Sequence, residues 1–262
     1  FDAKANGFGR GEGCGIVVLK PLSKAMVDGD PILGVIRSTN VNQDGKGTGM
    51  HAPNLKSQIE LVRTGLQLAS IENPDEVGFY ECHGTGTVLG DAVEIEGIAT
   101  VFGKNREPGN PLHIGAIKSN VGHLEQAAGV AGLLKILASF QSGKILPNHG
   151  PEEVSKPVSS QLKGLSLPER AMPWNAPLGR RIASVSSFSI LGVNANAVLE
   201  EPPQLSTSLS PFPSEQVWSL PVSARTAKAL SELLERHKSR LEKISDVEFP
   251  HYCWSAAIGV DQ

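Results

Sequence analysis

The stretch YECHGTGTVLGDAVEIEG, residues 80–97, joins an apolar strand, a glycine–threonine loop and a helix. EVGFYEC (76–82) is predicted to be a strand and GDAVEIEGIATVFG (90–103) a helix, in which Asp91 and Glu94 have capping-box spacing. Because strand and helix signals alternate along much of the chain, an α/β layered architecture is expected.

Other segments continue this alternation. We predict strands at 14–20, 31–39 and 112–120, helices at 54–70 and 125–143, and a hairpin of 181–188 with 193–201. The β-branched runs of the first two strands indicate that both are buried. The second helix is apolar almost all round, which predicts a central, tightly packed position.

Sequence character changes after Glu201. Residues 1–203 are predicted to form one α/β domain, and 204–216 a Pro/Ser-rich connector. Residues 217–262 are expected to form a small α/β lobe that includes an amphipathic helix at 229–244.

Composition narrows the function classes. The 262 residues carry a formal net charge of −3, which provides no electrostatic footprint for nucleic acid. Three widely spaced cysteines disfavour a disulfide framework and fit a reducing, cytoplasmic setting. No apolar run approaches the roughly 20 residues of a membrane span, and no signal-peptide pattern is seen. The chain begins at Phe1 without methionine, so it is expected to be a piece of a longer polypeptide.

Several motifs fail as binding sites. GFGRGEG (7–13) lacks the strand before it and the helix after it that a dinucleotide fingerprint requires. GHLEQ (122–126) lacks the second histidine of a zinc protease motif, so no metal site is predicted.

Two histidines remain as candidate functional residues. His83 ends a strand and opens a loop whose glycines allow close approach of a ligand. His123 precedes a helix, whose positive end disfavours an imidazolium. A neutral histidine can donate a hydrogen bond to a developing oxyanion. Lys118 lies close to His123 in sequence, which favours a functional site over two structural histidines.

Several motifs occur together and in a fixed order. They are FDAKANGFGRGEG (1–13), VNQDG (41–45), ECHGTGTVLGDAVEIEG (81–97), IKSNVGHLEQAAGVAGLLK (117–135) and NANAVLEE (194–201). Together they resemble the β-ketoacyl synthase (ketosynthase) domain of type I polyketide synthases over residues 1–203. The resemblance implies the C-terminal half of a thiolase-like, layered αβαβα fold, followed by the start of a ketosynthase–acyltransferase linker at 217–262.

The resemblance also implies roles for the candidate residues. His83 and His123 would promote decarboxylation of a malonyl thioester and stabilise its enolate, and Lys118 would support them electrostatically. Thr85 and Thr87 would hold a phosphopantetheine arm that is carried by an acyl carrier protein, so no cofactor is expected to bind the chain directly. Expected partners are that carrier with its malonyl or acyl thioester, the remaining synthase including its acyltransferase domain, and a second copy in a homodimer.

The adjacent Cys82 and His83 could also be interpreted as a nucleophile and its general base. Successive strand side chains point to opposite faces, so these two should not face one reaction centre. The family's nucleophile lies on a TACSS-type turn before FDA, and the chain contains no such stretch. Cys82 and Cys14 are therefore both expected to be small, buried apolar residues.

The turn at 189–192 departs from the family pattern NSFGFGGTNAH. Here Ser189 and Leu191 replace glycines, Ile190 replaces the gating phenylalanine, and Val193 and Asn196 replace threonine and histidine. In the family this turn supplies an oxyanion-hole amide. With Ile190 and Leu191 before Gly192, the hole is expected to be misshapen, because leucine resists backbone angles that glycine permits.

Three functions stay open on sequence grounds. The favoured one is the C-terminal part of a ketosynthase that performs decarboxylative Claisen condensation when joined to the part bearing the nucleophile. The second is a diverged ketosynthase that at most decarboxylates malonyl thioesters, a step that needs no thiolate. The third is a non-enzymatic docking or scaffold protein.

Overall fold

The structure, a computed structural model, describes residues 1–45, 52–103, 106, 109–176, 179–203, 217–246 and 248–258. Its contacts divide the chain into two compact units, Phe1–Pro203 and Gln204–Gln262. No helix in the described ranges is long and apolar enough to cross a membrane.

The first unit is built around a mixed sheet. Its strands are β1 (Val35–Gln43), β2 (Val77–Glu81), β3 (Leu112–Gly115), β4 (Lys144–Ile145), β5 (Leu165–Ser166), β6 (Met172–Pro173), β7 (Ile182–Phe188) and β8 (Val193–Glu200). Six of them form one sheet in the order β1-β8-β7-β2-β3-β5, while β4 and β6 form a separate pair. The predicted hairpin is β7–β8, antiparallel, and it lies inside the large sheet. Strands β7, β2, β3 and β5 run parallel to one another.

Helices cover both faces of this sheet. The helices of this unit are α1 (Leu22–Asp28), α2 (Leu55–Leu68), α3 (Val88–Ile98), α4 (Lys118–Val121), α5 (Ala128–Ser142) and α6 (Lys156–Ser159). One apolar core joins α2 and α3 to the face that carries Tyr80 and Cys82. A second core joins α5 to the face that carries Phe79. The unit is therefore layered as predicted, because strand alternation sends neighbouring side chains of β2 to different cores.

The segment 14–20 is not a strand, contrary to prediction. Ile16 is 82% exposed and Val18 92% exposed, and Cys14 is exposed as well, not buried. At Gly15 an added Cβ would lie 2.2 Å from Cγ1 of Val130. The absence of a side chain at Gly15 therefore lets the segment pack against the start of α5. A β-branched run forms a strand only where a neighbouring strand accepts its hydrogen bonds, and within the described residues this run is outside both sheets.

Other predicted elements are shifted. The strand expected at 31–39 is β1, which lies at a sheet edge and is only half-buried. The strand expected at 112–120 ends at Gly115, where the chain turns into α4. Helix α5 packs one face on the sheet, and Leu134 is 41% exposed, so it is less central than its composition predicted.

The helix expected at 90–103 begins earlier, at Val88. Thr87 is the N-cap residue and makes no side-chain capping hydrogen bond, so Asp91, in the first turn, and Glu94, beyond it, do not form a capping box. A turn of π-helix, Ala99–Gly103, continues α3.

The second unit shows two helices in its described part, α7 (Ala227–Leu241) and α8 (Phe249–Ile258). Thr226 caps α7 by accepting a hydrogen bond from the Ala229 amide at 3.1 Å. Nδ1 of His237 and the Tyr252 hydroxyl lie 2.6 Å apart and connect the helices. Strands that would make this lobe α/β are not among the described residues, and the connector at 204–216 lies outside them.

Candidate functional site

The candidate site lies where β2 and β3 end. These strands are parallel, with Glu81 in register with Gly115, so the loops after them meet at one edge of the sheet. His83 follows β2, and His123 follows β3 and α4. Their imidazole centroids are 5.6 Å apart, with the ring planes at 85°. The structure thus brings together two histidines that are distant in sequence.

His83 is held from the side of β7. Its Nδ1 accepts a hydrogen bond from the Phe188 amide at 3.3 Å, and the Phe188 ring lies 5.6 Å from the imidazole. Burial, together with the positive charge of Lys118 and the nearby His123, lowers the pKa of His83 to about 3. At neutral pH the ring is therefore uncharged. Because Nδ1 is the acceptor, Nε2 carries the proton.

The loop after His83 is held from beneath by α3. The Glu94 carboxylate accepts hydrogen bonds from the His83 amide at 2.7 Å and the Gly84 amide at 2.8 Å. Burial raises the pKa of Glu94 to about 7, and these two amide donors oppose the rise. Asp91 accepts from the Gly86 amide at 3.0 Å. Both carboxyl groups thus bind loop amides, which is a more specific role than the helix capping predicted from sequence.

His123 is held by a different set of backbone groups. Its Nδ1 accepts from the Glu125 amide at 2.9 Å, which leaves the proton on Nε2. Its own amide donates to Gly9 at 2.8 Å, and the Phe8 ring lies 4.7 Å away. Burial, then Lys118, lowers the pKa of His123, so the imidazole is uncharged as predicted. The cause differs from the predicted one, because α5 begins only at Ala128.

Glu125 adopts an unusual backbone conformation to make this contact. Its φ is +54°, in the left-handed region that non-glycine residues seldom occupy. Such strain costs on the order of 1 kcal/mol and persists only where other contacts enforce it. Here it directs the Glu125 amide at Nδ1 of His123.

Lys118 opens α4 between the two histidine loops. Burial lowers the pKa of its ammonium group, and nearby carboxylates, Glu94 foremost, oppose the change. Within the described part of the chain, no carboxylate lies within ion-pair distance of this ammonium. Its charge is therefore available to a ligand at the site.

The threonines of the loop lie at the start of α3. The hydroxyl oxygens of Thr85 and Thr87 are 3.3 Å apart, and both residues are half-buried. An added Cβ at Gly90 would lie 2.3 Å from Oγ1 of Thr87, so glycine makes room for this hydroxyl. The predicted binding of a phosphopantetheine arm to these threonines stays a prediction.

The diverged turn lies at the tip of the β7–β8 hairpin. Ile190 and Leu191 are 68% and 72% exposed, and the left-handed angle falls on Gly192, at φ +81°. Leu191 therefore avoids the strain that the sequence suggested for it. The turn closes through a bond from the Gly192 amide to Ser189 at 2.9 Å. Whether it still supplies an oxyanion-hole amide stays a prediction.

Cys82 faces away from the two histidines. It is 3% exposed and lies in the core beneath α3, as strand alternation predicts. Burial raises its pKa well above the ordinary value for a thiol. A thiol in this setting carries little thiolate and is a poor nucleophile.

Sequence reasoning missed the groups that set the histidine tautomers. They are main-chain amides of Phe188 and Glu125, and a backbone donor has no residue signature. It also missed the buried pairing of Lys135 with Glu81, for which a lysine inside the apolar helix α5 was the available signal.

Comparison with protein families yields three matches. Residues 33–151 match the β-ketoacyl synthase C-terminal domain, and 159–259 match the ketoacyl-synthetase C-terminal extension. Residues 1–25 match the β-ketoacyl synthase N-terminal domain.

Individual relatives are polyketide synthases. The chain is 41% identical over 239 residues to a phenolphthiocerol/phthiocerol polyketide synthase of Mycobacterium tuberculosis, covering 90% of this chain and 13% of the relative. It is 46% identical over 201 residues to a reducing polyketide synthase of Gibberella moniliformis, covering 77% of this chain and 8% of the relative. The chain thus spans a small part of the curated relatives it matches.

Solved structures with the same fold are ketosynthases. The ketosynthase from module 1 of the bacillaene synthase of Bacillus amyloliquefaciens aligns with a TM-score of 0.83 and 30% identity, over 100% of this chain and 44% of that one. An oxazolomycin ketosynthase domain of Streptomyces albus aligns with a TM-score of 0.77 and 34% identity, over 93% and 42% of the two chains.

Proposed function

This chain belongs to the β-ketoacyl synthase family of polyketide synthases, and we propose that it supplies the two-histidine part of a site for decarboxylative Claisen condensation. The substrates would be a malonyl thioester on the phosphopantetheine arm of an acyl carrier protein and an acyl group held by a cysteine outside this chain. The chain spans only 13% and 8% of two polyketide synthases that it matches, which supports partners in the rest of such a synthase. Those partners would be an acyl carrier protein, an acyltransferase domain and a second copy of this chain.

One observation carries the proposal. His83 and His123 both accept a backbone amide at Nδ1, and burial and Lys118 lower the pKa of both rings. Each ring is therefore a neutral Nε2–H donor. Two such donors with ring centroids 5.6 Å apart can bind one thioester oxygen between them.

This arrangement favours loss of carbon dioxide. When the bond between the malonyl carboxylate and the α-carbon breaks, the electron pair moves into the thioester and negative charge develops on its oxygen. The Nε2–H groups of His83 and His123 then bind an enolate oxygen more strongly than a carbonyl oxygen. The ammonium of Lys118 adds positive charge that no carboxylate in the described residues neutralises by direct contact.

The condensation step that follows needs the acyl-bearing cysteine outside this chain. The α-carbon of the enolate attacks the carbonyl carbon of the acyl thioester, a carbon–carbon bond forms, and the thiolate leaves. The buried Cys82 does not perform this role, since its thiol faces the core and its pKa is raised. Thr85 and Thr87, at the opening of the same loop, would hold the phosphopantetheine arm through their hydroxyls.

The experiment measures decarboxylation by this chain, because that step needs no nucleophile. A malonyl thioester of acyl carrier protein is incubated with the purified chain, and conversion to the acetyl thioester is followed by mass spectrometry. We expect conversion above the uncatalysed rate and its loss in His123→Ala and His83→Ala. The exposed His149→Ala serves as the matched control. A wild-type chain that folds but does not convert the thioester would contradict the proposal for this chain.

The same samples test Cys82. We expect no acyl mass on the chain, slow alkylation of Cys82 relative to the exposed Cys14, and unchanged decarboxylation in Cys82→Ala. An acyl group that disappears in Cys82→Ala would instead make this cysteine a nucleophile.

A further inference from the structure

A buried polar cluster lies directly behind the histidine loops. It consists of Glu81 at the end of β2, Lys135 in α5 and Asn148, which are 1%, 6% and 9% exposed. The Lys135 ammonium donates to Glu81 at 2.8 Å and to Oδ1 of Asn148 at 2.9 Å. We call these three residues the buried triad.

The buried triad binds the turn that connects β3 to α4. The Ile117 amide donates to Oε1 of Glu81 at 2.6 Å, and the Ala116 amide donates to Oδ1 of Asn148 at 2.8 Å. These two amides immediately precede Lys118. Glu81 lies on the strand that leads into His83, so one carboxylate connects the His83 strand to the turn that carries Lys118.

Two glycines provide the space for this cluster. An added Cβ at Gly115 would lie 2.8 Å from Nζ of Lys135 and 3.0 Å from Oδ1 of Asn148. An added Cβ at Gly132 would lie 3.1 Å from Cγ of Glu81. Larger residues at either position would displace the triad, so the backbone around it is fitted to these side chains.

Stability alone does not account for a buried ion pair. Desolvation of two charges offsets much of their attraction, and apolar residues of similar size often stabilise a core equally well. A buried polar cluster does define one geometry, because each of its groups must keep its partners. Here the partners include the two amides before Lys118.

We propose that Glu81, Lys135 and Asn148 act as positioning residues, which fix the turn at 115–118 and so place Lys118 beside His83 and His123. Their contribution to catalysis rests on the proposed function. None of the three is assigned a contact with substrate; they act through Lys118.

The test removes both charges of the triad together. In Glu81→Gln/Lys135→Met the net charge is unchanged, and the introduced amide side chain keeps an oxygen for the Ile117 amide. The readout is the pKa of His123, followed by NMR of the imidazole without substrate. The charged groups that act on this ring are Lys118, Glu125 and Arg10. Because the Lys118 ammonium lowers the pKa of His123, moving that ammonium away should raise the pKa of His123 by about half a unit or more.

Three comparisons make the result specific. In a Lys118→Met background the double variant should cause no additional rise. The exposed ion pair of Lys4 and Glu152, removed as Lys4→Met/Glu152→Gln, should leave the pKa of His123 unchanged. Asn148→Ala, which keeps the ion pair, should shift the pKa in the same direction by less, and it serves as the test if the double variant does not fold. An unchanged pKa, or an equal rise without Lys118, overturns the proposal.

Activity is a separate measurement. If the wild-type chain decarboxylates malonyl thioesters, the double variant should lower kcat about tenfold with little change in KM, as expected for a displaced transition-state contact. If the wild-type chain is inactive, the proposed function fails, while the substrate-free titration still decides whether the triad places Lys118.

Discussion

The loops that carry His83 and His123 achieve the same chemical state by different means. In both, a main-chain amide binds Nδ1 and leaves Nε2 protonated. The His83 loop is held from beneath by the buried carboxylate of Glu94. The His123 loop is held by backbone contacts to Gly9 and Gly11 and by the left-handed Glu125.

This difference predicts which substitutions should destabilise each loop. A loop whose amides are bound by buried carboxylates should lose much of its stability when Glu94, which accepts two of these bonds, is removed. A loop that depends on several backbone bonds and a strained residue should tolerate side-chain changes. The following predictions test this contrast, beginning with the largest expected effect.

Glu94→Ala should be the most damaging single change. It leaves the amides of His83 and Gly84 buried without an acceptor, and each unpaired donor costs about 1–3 kcal/mol. We expect the free energy of unfolding to fall by about 3 kcal/mol, measured by urea denaturation. Glu96→Ala, an exposed glutamate on the same helix, is the control and should change little. Equal effects of the two substitutions would contradict a special role for Glu94.

Acidification should destabilise the chain through His83. Its pKa is lowered to about 3 in the folded state, below the unfolded value near 6.5, so the folded state binds this proton less tightly. The stability contribution is therefore complete above about pH 6.5 and is lost as the pH falls toward about 3. Between about pH 7 and about pH 5 the loss from His83 alone is about 2 kcal/mol. The raised pKa of Glu94 acts in the opposite direction over the same range, so the loss is measured as the difference in pH dependence between the wild-type chain and a His83 variant.

This loss should be reduced in His83→Gln, which cannot be protonated, and retained in the exposed control His149→Gln. Denaturation midpoints at the two pH values provide the measurement. An identical pH dependence in the wild-type chain and in His83→Gln would contradict the prediction for His83.

Glu125→Gly should slightly stabilise the chain. Glycine adopts φ near +54° without strain and keeps the amide that binds His123, but it also loses more backbone freedom on folding, so a net gain of about 0.5 kcal/mol or less is expected. Ser70→Gly is a matched control, because Ser70 also has a left-handed φ, +56°, but lies outside the His123 loop. Both variants should gain stability in thermal unfolding. A loss in Glu125→Gly alone would mean that the glutamate side chain holds the loop.

Arg10→Ala should have the smallest effect. The Arg10–Glu125 ion pair is 3.2 Å long, but the arginine side chain is 81% exposed, and such pairs contribute less than about 1 kcal/mol. We expect a change in the free energy of unfolding within about 0.5 kcal/mol. Because Arg10 lowers the pKa of His123, that pKa should rise slightly. A larger loss of stability would show that this surface pair, and not the backbone, fixes the His123 loop.

Local sequence patterns predicted much of the fold. Period-two alternation placed Cys82 in the core, and the hairpin of β7 and β8 followed from two β-branched runs around a short turn. The candidate histidines were also found locally, since each follows a strand and adjoins glycines. These features depend on interactions between residues close in the chain, which a sequence displays directly.

Where sequence reasoning was wrong, a distant partner decided the outcome. The apolar run 14–20 has strand composition, yet in the described structure it lies outside both sheets. Asp91 and Glu94 have capping-box spacing, yet the helix begins at Val88 and both carboxyl groups bind the loop before it.

The sequence by itself determined which residue types are available for chemistry: two histidines, a nearby lysine and a threonine loop, on strand–loop–helix units. Only the tertiary structure decided their chemical state. The tautomer of His83 depends on the amide of Phe188, which the strand order β7-β2-β3 brings beside it. Its lowered pKa depends on burial and on Lys118 from the next loop. Tautomer and pKa are set by distances and desolvation, and these arise only when separate strands pack together.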